Sequence, residues 1–205
     1  MKFHQYIFPV YACLLLCFST LLSSQPVIVW DKVYGSSHDD SGIQLVGTPD
    51  GGCIFIAWPL RPGNGDIPEK KGERDVWACK LDAAGKIVYS RILGGSNEDF
   101  AASVIRTDDG GAIFQYGTLS TDFDIPYTIG KNDEIFHKLD AVGKTEWVKV
   151  FGCSEGDSGL ALQKGDGNFL MYVVRVQNRR WIWLNWKMAV SSFWEKYWAM
   201  GKMGM

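Results

Sequence analysis

The chain has 205 residues, with 21 Lys and Arg against 23 Asp and Glu, and 46% of its residues are hydrophobic. That length fits one domain or two small ones with a sizeable core, and the near-balance of charge argues against a nucleic-acid-binding body. The composition excludes a disordered chain and a polytopic membrane protein, while 23 Gly and 9 Trp point to many turns and large apolar or stacking surfaces.

Residues 1–24 read as a secretory signal peptide. Lys2 supplies the positive start, an apolar stretch runs from Tyr6 to Leu22, and Ser23 and Ser24 end it. Pro9 and the early stop make it a poor anchor, since a spanning helix needs about 20 apolar residues. Cleavage is expected near Ser24-Gln25. Val10-Tyr11-Ala12-Cys13 is a poor lipobox, and Cys17 has no small residue before it. The exported chain keeps Cys53, Cys79 and Cys153, an odd number that leaves at least one free thiol. No CxxC or Cys/His spacing suits zinc. A Cys53–Cys79 bridge is left open by the sequence.

Beyond the signal, the chain repeats itself. Trp30-Asp31-Lys32-Val33-Tyr34-Gly35 returns as Tyr89-Ser90-Arg91-Ile92-Leu93-Gly94, and again as Trp147-Val148-Lys149-Val150-Phe151-Gly152. Asp50-Gly51-Gly52 matches Asp109-Gly110-Gly111, and Asp66-Ile67-Pro68 matches Asp124-Ile125-Pro126. Lys80-Leu81-Asp82-Ala83-Ala84-Gly85 matches Lys138-Leu139-Asp140-Ala141-Val142-Gly143. The units are taken as 25–86, 87–144 and a degenerate or truncated 145–205.

Within the first unit, the apolar-rich Gly42–Thr48, the turn Pro49-Asp50-Gly51-Gly52 and the β-prone Cys53–Trp58 predict a hairpin, because Asp-Gly and Gly-Gly tolerate positive φ. After a polar loop, Arg61 to Arg74, strands are expected at Asp75–Leu81 and Lys86–Leu93, joined by Asp82-Ala83-Ala84-Gly85. The second unit predicts strands around Val104-Ile105, Ala112–Tyr116, Ile135–Leu139 and Trp147–Val150. Four short strands per unit of about 58 residues predict an all-β, β-propeller-like architecture of about three units. The recurring Trp30/Tyr89/Trp147 position is expected to pack between sheets.

These motifs, over about residues 28–168, resemble exported bacterial tandem-repeat proteins carrying Trp-x-Lys-x-Tyr-Gly-Gly-Ser, Asp-Gly-Gly and Lys-Leu-Asp-x-x-Gly. Such proteins are similar to β-propellers and often end in a type IX secretion sorting domain. The resemblance implies a secreted or cell-surface scaffold and no particular chemistry.

The third unit departs from the pattern after Asn168. Trp181, Trp183, Trp186, Trp194 and Trp198 crowd a stretch with no Gly or Asp. Residues 25–174 carry a net charge of -8 and residues 175–205 one of +5. The tail reads as an eroded or frameshifted unit. The competing readings are a membrane or partner surface and single-stranded nucleic acid, which export argues against. Three units are few for a closed ring, so an open arc or a covering partner is expected.

Chemistry is sparse. His38 and His137 are not repeated, and no HExxH, GxSxG, Walker loop or GxGxxG occurs, so no catalytic residue and no enzyme is expected. Asp122 and Asp124 read as turn chemistry. The candidate metal ligands are Asp39, Asp40, Asp99 and Asp157, in acidic loops that also hold Glu98 and Glu155. Their hard oxygens suit calcium, and Asx turns or strand-end caps are the structural alternative. Trp58 and Trp77 could offer a carbohydrate surface or simply fill the core. The expected role is a scaffold with a protein or glycan partner at the cell surface, the alternative a carbohydrate- or calcium-binding module.

Overall fold

The computed structural model describes residues 28–60, 64–152, 157–165, 168–177 and 180–189, the last three segments as backbone strands. The proposed signal peptide, Cys153, Glu155 and residues 190–205 lie outside the described residues. The chain divides into two units, Met1–Asp31 and Lys32–Met205. The described part of the first, residues 28–31, holds no helix or strand. Among the described residues of the second, every regular element is a β-strand.

Sheet 1 is an antiparallel meander of β1 (Asp40–Gly47), β2 (Cys53–Pro59), β3 (Val76–Leu81) and β4 (Ile87–Leu93). Sheet 2 takes the same order with β5 (Asp99–Arg106), β6 (Ala112–Thr118), β7 (Asp133–Leu139) and β8 (Thr145–Phe151). A third meander joins β9 (Asp157–Gly165), β10 (Asn168–Gln177) and β11 (Arg180–Ala189), so strands continue past Trp181, Trp183 and Trp186. The sheets take a different phase from the 25–86 and 87–144 units. The segment holding Tyr89 or Trp147 closes a sheet as its last strand, because the Asp-x-x-Gly turn folds it back onto β3 or β7.

Turn chemistry dictates this layout. Thr48 and Gly52 pair across the first hairpin as Thr107 and Gly111 do across its counterpart. Asp82 Oδ1 accepts from Ala84 and Lys86 amides at 2.9 and 2.8 Å; Asp140 Oδ1 accepts from Val142 and Lys144 at 3.0 and 2.8 Å. Gly85 and Gly143 close these turns at φ 69° and 85°, a region costly for residues with a Cβ. The bulges recur too, at Gly42/Gln44 and Ala101/Ser103, and at Lys80/Leu81 and Lys138/Leu139.

Strand alternation then builds the core. Ile54, Ile56, Val76 and Ala78 of sheet 1 meet Val104, Phe114, Tyr116 and Ile135 of sheet 2 in one cluster. The opposite face of sheet 1 holds Cys53, Trp77, Cys79 and Leu81, with Tyr34 packed against them. Lys80 crosses between sheets: its buried ammonium donates to the Gly110 carbonyl at 2.9 Å and the Ala141 carbonyl at 3.4 Å. Arg91 likewise donates to Gly143 O at 2.6 Å, and Lys32, ahead of β1, donates to Gly85 O in the β3–β4 turn at 3.1 Å.

Cys53 and Cys79 are both free thiols. Cys53 faces Leu81 and Cys79 faces Phe55, so the two are diagonal rather than opposite. Diagonal pairs sit at about 7–8 Å, beyond the usual disulfide span. Burial pushes the Cys79 thiol up to about 12.

Candidate functional site

The acidic loops were the first candidates, and two of their carboxylates, Asp40 and Asp99, are already engaged. Asp40 opens β1 of sheet 1, where its carboxylate accepts from the Ser36 amide at 2.6 Å and the Ser36 hydroxyl at 3.2 Å. Asp99, the matching residue of sheet 2, is fully buried. It accepts from the Gly95 amide at 2.7 Å and from the Thr118 and Ser120 hydroxyls. Burial nonetheless pushes its carboxyl up to about 6, above the ordinary 3.8. These carboxylates cap loop amides that would otherwise lack partners. Asp157 begins β9, and its side chain lies outside the described residues. Among the described residues, no group of three or more His, Cys, Asp or Glu could hold a metal ion.

The remaining sequence candidates serve the fold. Asp122 accepts from the Ser96 amide at 2.8 Å, while Asp124 takes the Gly94 amide at 3.2 Å and an ion pair from Lys71. His38 is exposed beside Ser37. His137 is buried between Tyr116 Oη at 3.1 Å and Thr145 Oγ1 at 2.8 Å. Burial lowers it to about 4, so it is neutral near neutral pH. Trp77 is core: its indole N–H donates to Ser90 Oγ at 2.9 Å, and its ring meets Phe55 edge-on at 4.9 Å.

Trp58 is different. It stands near the end of β2 and lines a cavity of about 440 Å³, a volume within the range of small-molecule sites. The start of β1 and the residue before it contribute Asp39, Asp40 and Ser41; Pro59 and Leu60 follow Trp58. Glu73 and Arg74 precede β3, and Glu98 precedes β5. A short parallel bridge, Arg74 to Glu98, ties the two sheets there, and the Asp99 amide donates to the Arg74 carbonyl at 2.7 Å. The Arg74 guanidinium lies 5.5 Å from the Trp58 ring centroid and 5.3 Å from that of Phe100. At such distances the cation is attracted by both ring faces. The Trp58 indole nitrogen is buried and has no hydrogen-bond partner among the described residues.

Sequence reasoning named Asp39, Asp40 and Trp58 separately and missed Arg74 and Glu73. Capping residues recur at the matching position of sheet 2, as Asp40 and Asp99 or Asp75 and Asp133 do, whereas Trp58 is matched by Gly117 and Arg74 by Asn132. Buried core positions change as well, Trp77 to Ile135 and Cys79 to His137, so the mismatch alone does not mark the cleft.

Compared with known proteins, the chain matches no family model and no curated sequence. The reading of its function rests on the residues themselves.

Proposed function

We propose that the chain is an exported, non-enzymatic scaffold built from propeller-like four-stranded units of about 58 residues, working at the cell surface by binding. The observation that carries this reading is the agreement of sheets 1 and 2 in strand order, bulges, turn bonds and capping carboxylates at matched positions. Stacked equivalent sheets bury their faces on one another, an arrangement suited to presenting surfaces and loops. The signal-like start, Lys2 through Ser24, supports export.

The test has two parts. Secretion of the full chain from a bacterial host should yield a mature N-terminus near Gln25, and circular dichroism of that product should be strand-dominated. Retention of residues 1–24, or a mainly helical spectrum, contradicts the reading.

A second reading is favoured by one feature. The cavity beside Trp58 suits a small-molecule or glycan contact of a binding module. Its calcium version has less support, because Asp40 and Asp99 already accept hydrogen bonds from their own loops.

A further inference from the structure

The contents of the Trp58 cleft constrain what it can hold. The carboxylates of Asp39, Glu73 and Glu98 accept no hydrogen bond or ion pair among the described residues, and each needs donors. The Trp58 indole N–H is buried out of reach, so Trp58 offers the cleft its ring surface. A simple cation would answer the carboxylates but leave the apolar surface uncovered. An anion would answer Arg74 but meet four carboxylates, counting Asp40. A hydroxyl donates to carboxylates while the C–H groups beside it stay apolar, so a polyhydroxylated ligand answers both needs at once. The cleft also carries apolar surface in Trp58, Pro59 and Leu60, against which the C–H face of a sugar ring packs.

We propose that this cleft binds a neutral saccharide, with its C–H face against the Trp58 ring and with Glu73 and Glu98 accepting from hydroxyls. Arg74 holds the Trp58 ring in place from one side, since it lies against both that ring and Phe100. The proposal rests on the binding-scaffold reading and names the ligand class of one of its surfaces.

The experiment is an NMR titration of the mature, nitrogen-15-labelled chain. The probes are neutral gluco-, manno- and xylo-oligosaccharides, with oligolysine and calcium chloride as rivals. At least one saccharide should shift the Trp58 indole N–H signal saturably. Trp58→Ala should weaken that binding at least about tenfold. Glu98→Gln and Glu73→Gln, at partly or fully exposed positions, should weaken it in a chain whose spectrum is otherwise unchanged. No saccharide shift, a shift untouched by all three variants, or a Trp58 response to oligolysine or calcium alone overturns the proposal. A well-dispersed strand-type spectrum without saccharide binding would leave the scaffold reading standing. A spectrum lacking that dispersion would remove the scaffold reading itself.

Discussion

Phe123 is a residue in the wrong backbone region for its side chain. Its φ is 52°, and the matching position of sheet 1 is Gly65 at 67°. The left-handed region costs a residue with a Cβ roughly 1–2 kcal/mol, and the phenyl ring is 68% exposed, so packing returns little. Phe123→Gly should therefore raise stability by about 0.5–1 kcal/mol after the entropy of glycine is counted, visible as a higher urea midpoint. His137 and Asp99 give a second residue-scale expectation. His137 is lowered to about 4 from 6.5, so its contribution is complete above pH 6.5 and is lost as pH falls toward 4. Asp99 is raised to about 6 from 3.8, so its contribution is complete below pH 3.8 and is lost as pH rises through 6. Between about pH 4 and 6 the two slopes oppose. His137→Gln, which can still bond Tyr116 and Thr145, should expose the Asp99 slope. Its stability should fall as pH rises from 4 to 6, by up to about 1.4 kcal/mol per pH unit, in melts across that range.

At the scale of elements, the strands were legible because turns bound them. The hairpin expected at Gly42–Thr48 and Cys53–Trp58 is found as Asp40–Gly47 and Cys53–Pro59, and Asp75–Leu81 and Lys86–Leu93 shift by one residue at the start. Asp-Gly and Asp-x-x-Gly specify their turns locally, so one sequence suffices to see them. The role of Lys80 was not legible. The Lys-Leu-Asp motif looks like surface, yet its ammonium is buried and holds carbonyls of two turns in the neighbouring sheet. Lys80→Met keeps the stem and removes the donor, leaving two carbonyls short of a partner. It should cost about 1–3 kcal/mol in denaturant unfolding. The counterpart Lys138 instead pairs with Asp109 and Glu146, each at 2.9 Å. Burial works to raise Asp109, and hydrogen bonds from Thr107, Lys138 and Gly111 outweigh it and hold the carboxyl at about 2.

At the scale of the whole molecule, the site was harder to read than the fold. Trp58, Arg74, Glu98 and Phe100 are separated along the chain and meet only because sheet 2 stacks on sheet 1. No local rule announces that convergence. The split between capping and free carboxylates is also tertiary: Asp40 and Asp39 are neighbours in sequence with different duties. The same stacking makes matched positions unequal. Leu45 of β1 is 62% exposed, whereas its counterpart Val104 of β5 is 0% exposed between the sheets. Val104→Asp should prevent folding, because an unpaired carboxylate would enter the shared core. Leu45→Asp should stay within about 0.5 kcal/mol of the parent in equilibrium unfolding.

Sheets 1 and 2 share one core and should therefore open as one cooperative body. Native-state amide hydrogen exchange on the mature chain tests it most directly. Ladder amides of β2, β3, β6 and β7 should open with a common free energy, and Val104→Ala should lower all four together. Separate opening energies for the two sheets, with Val104→Ala felt in sheet 2 alone, would contradict the account.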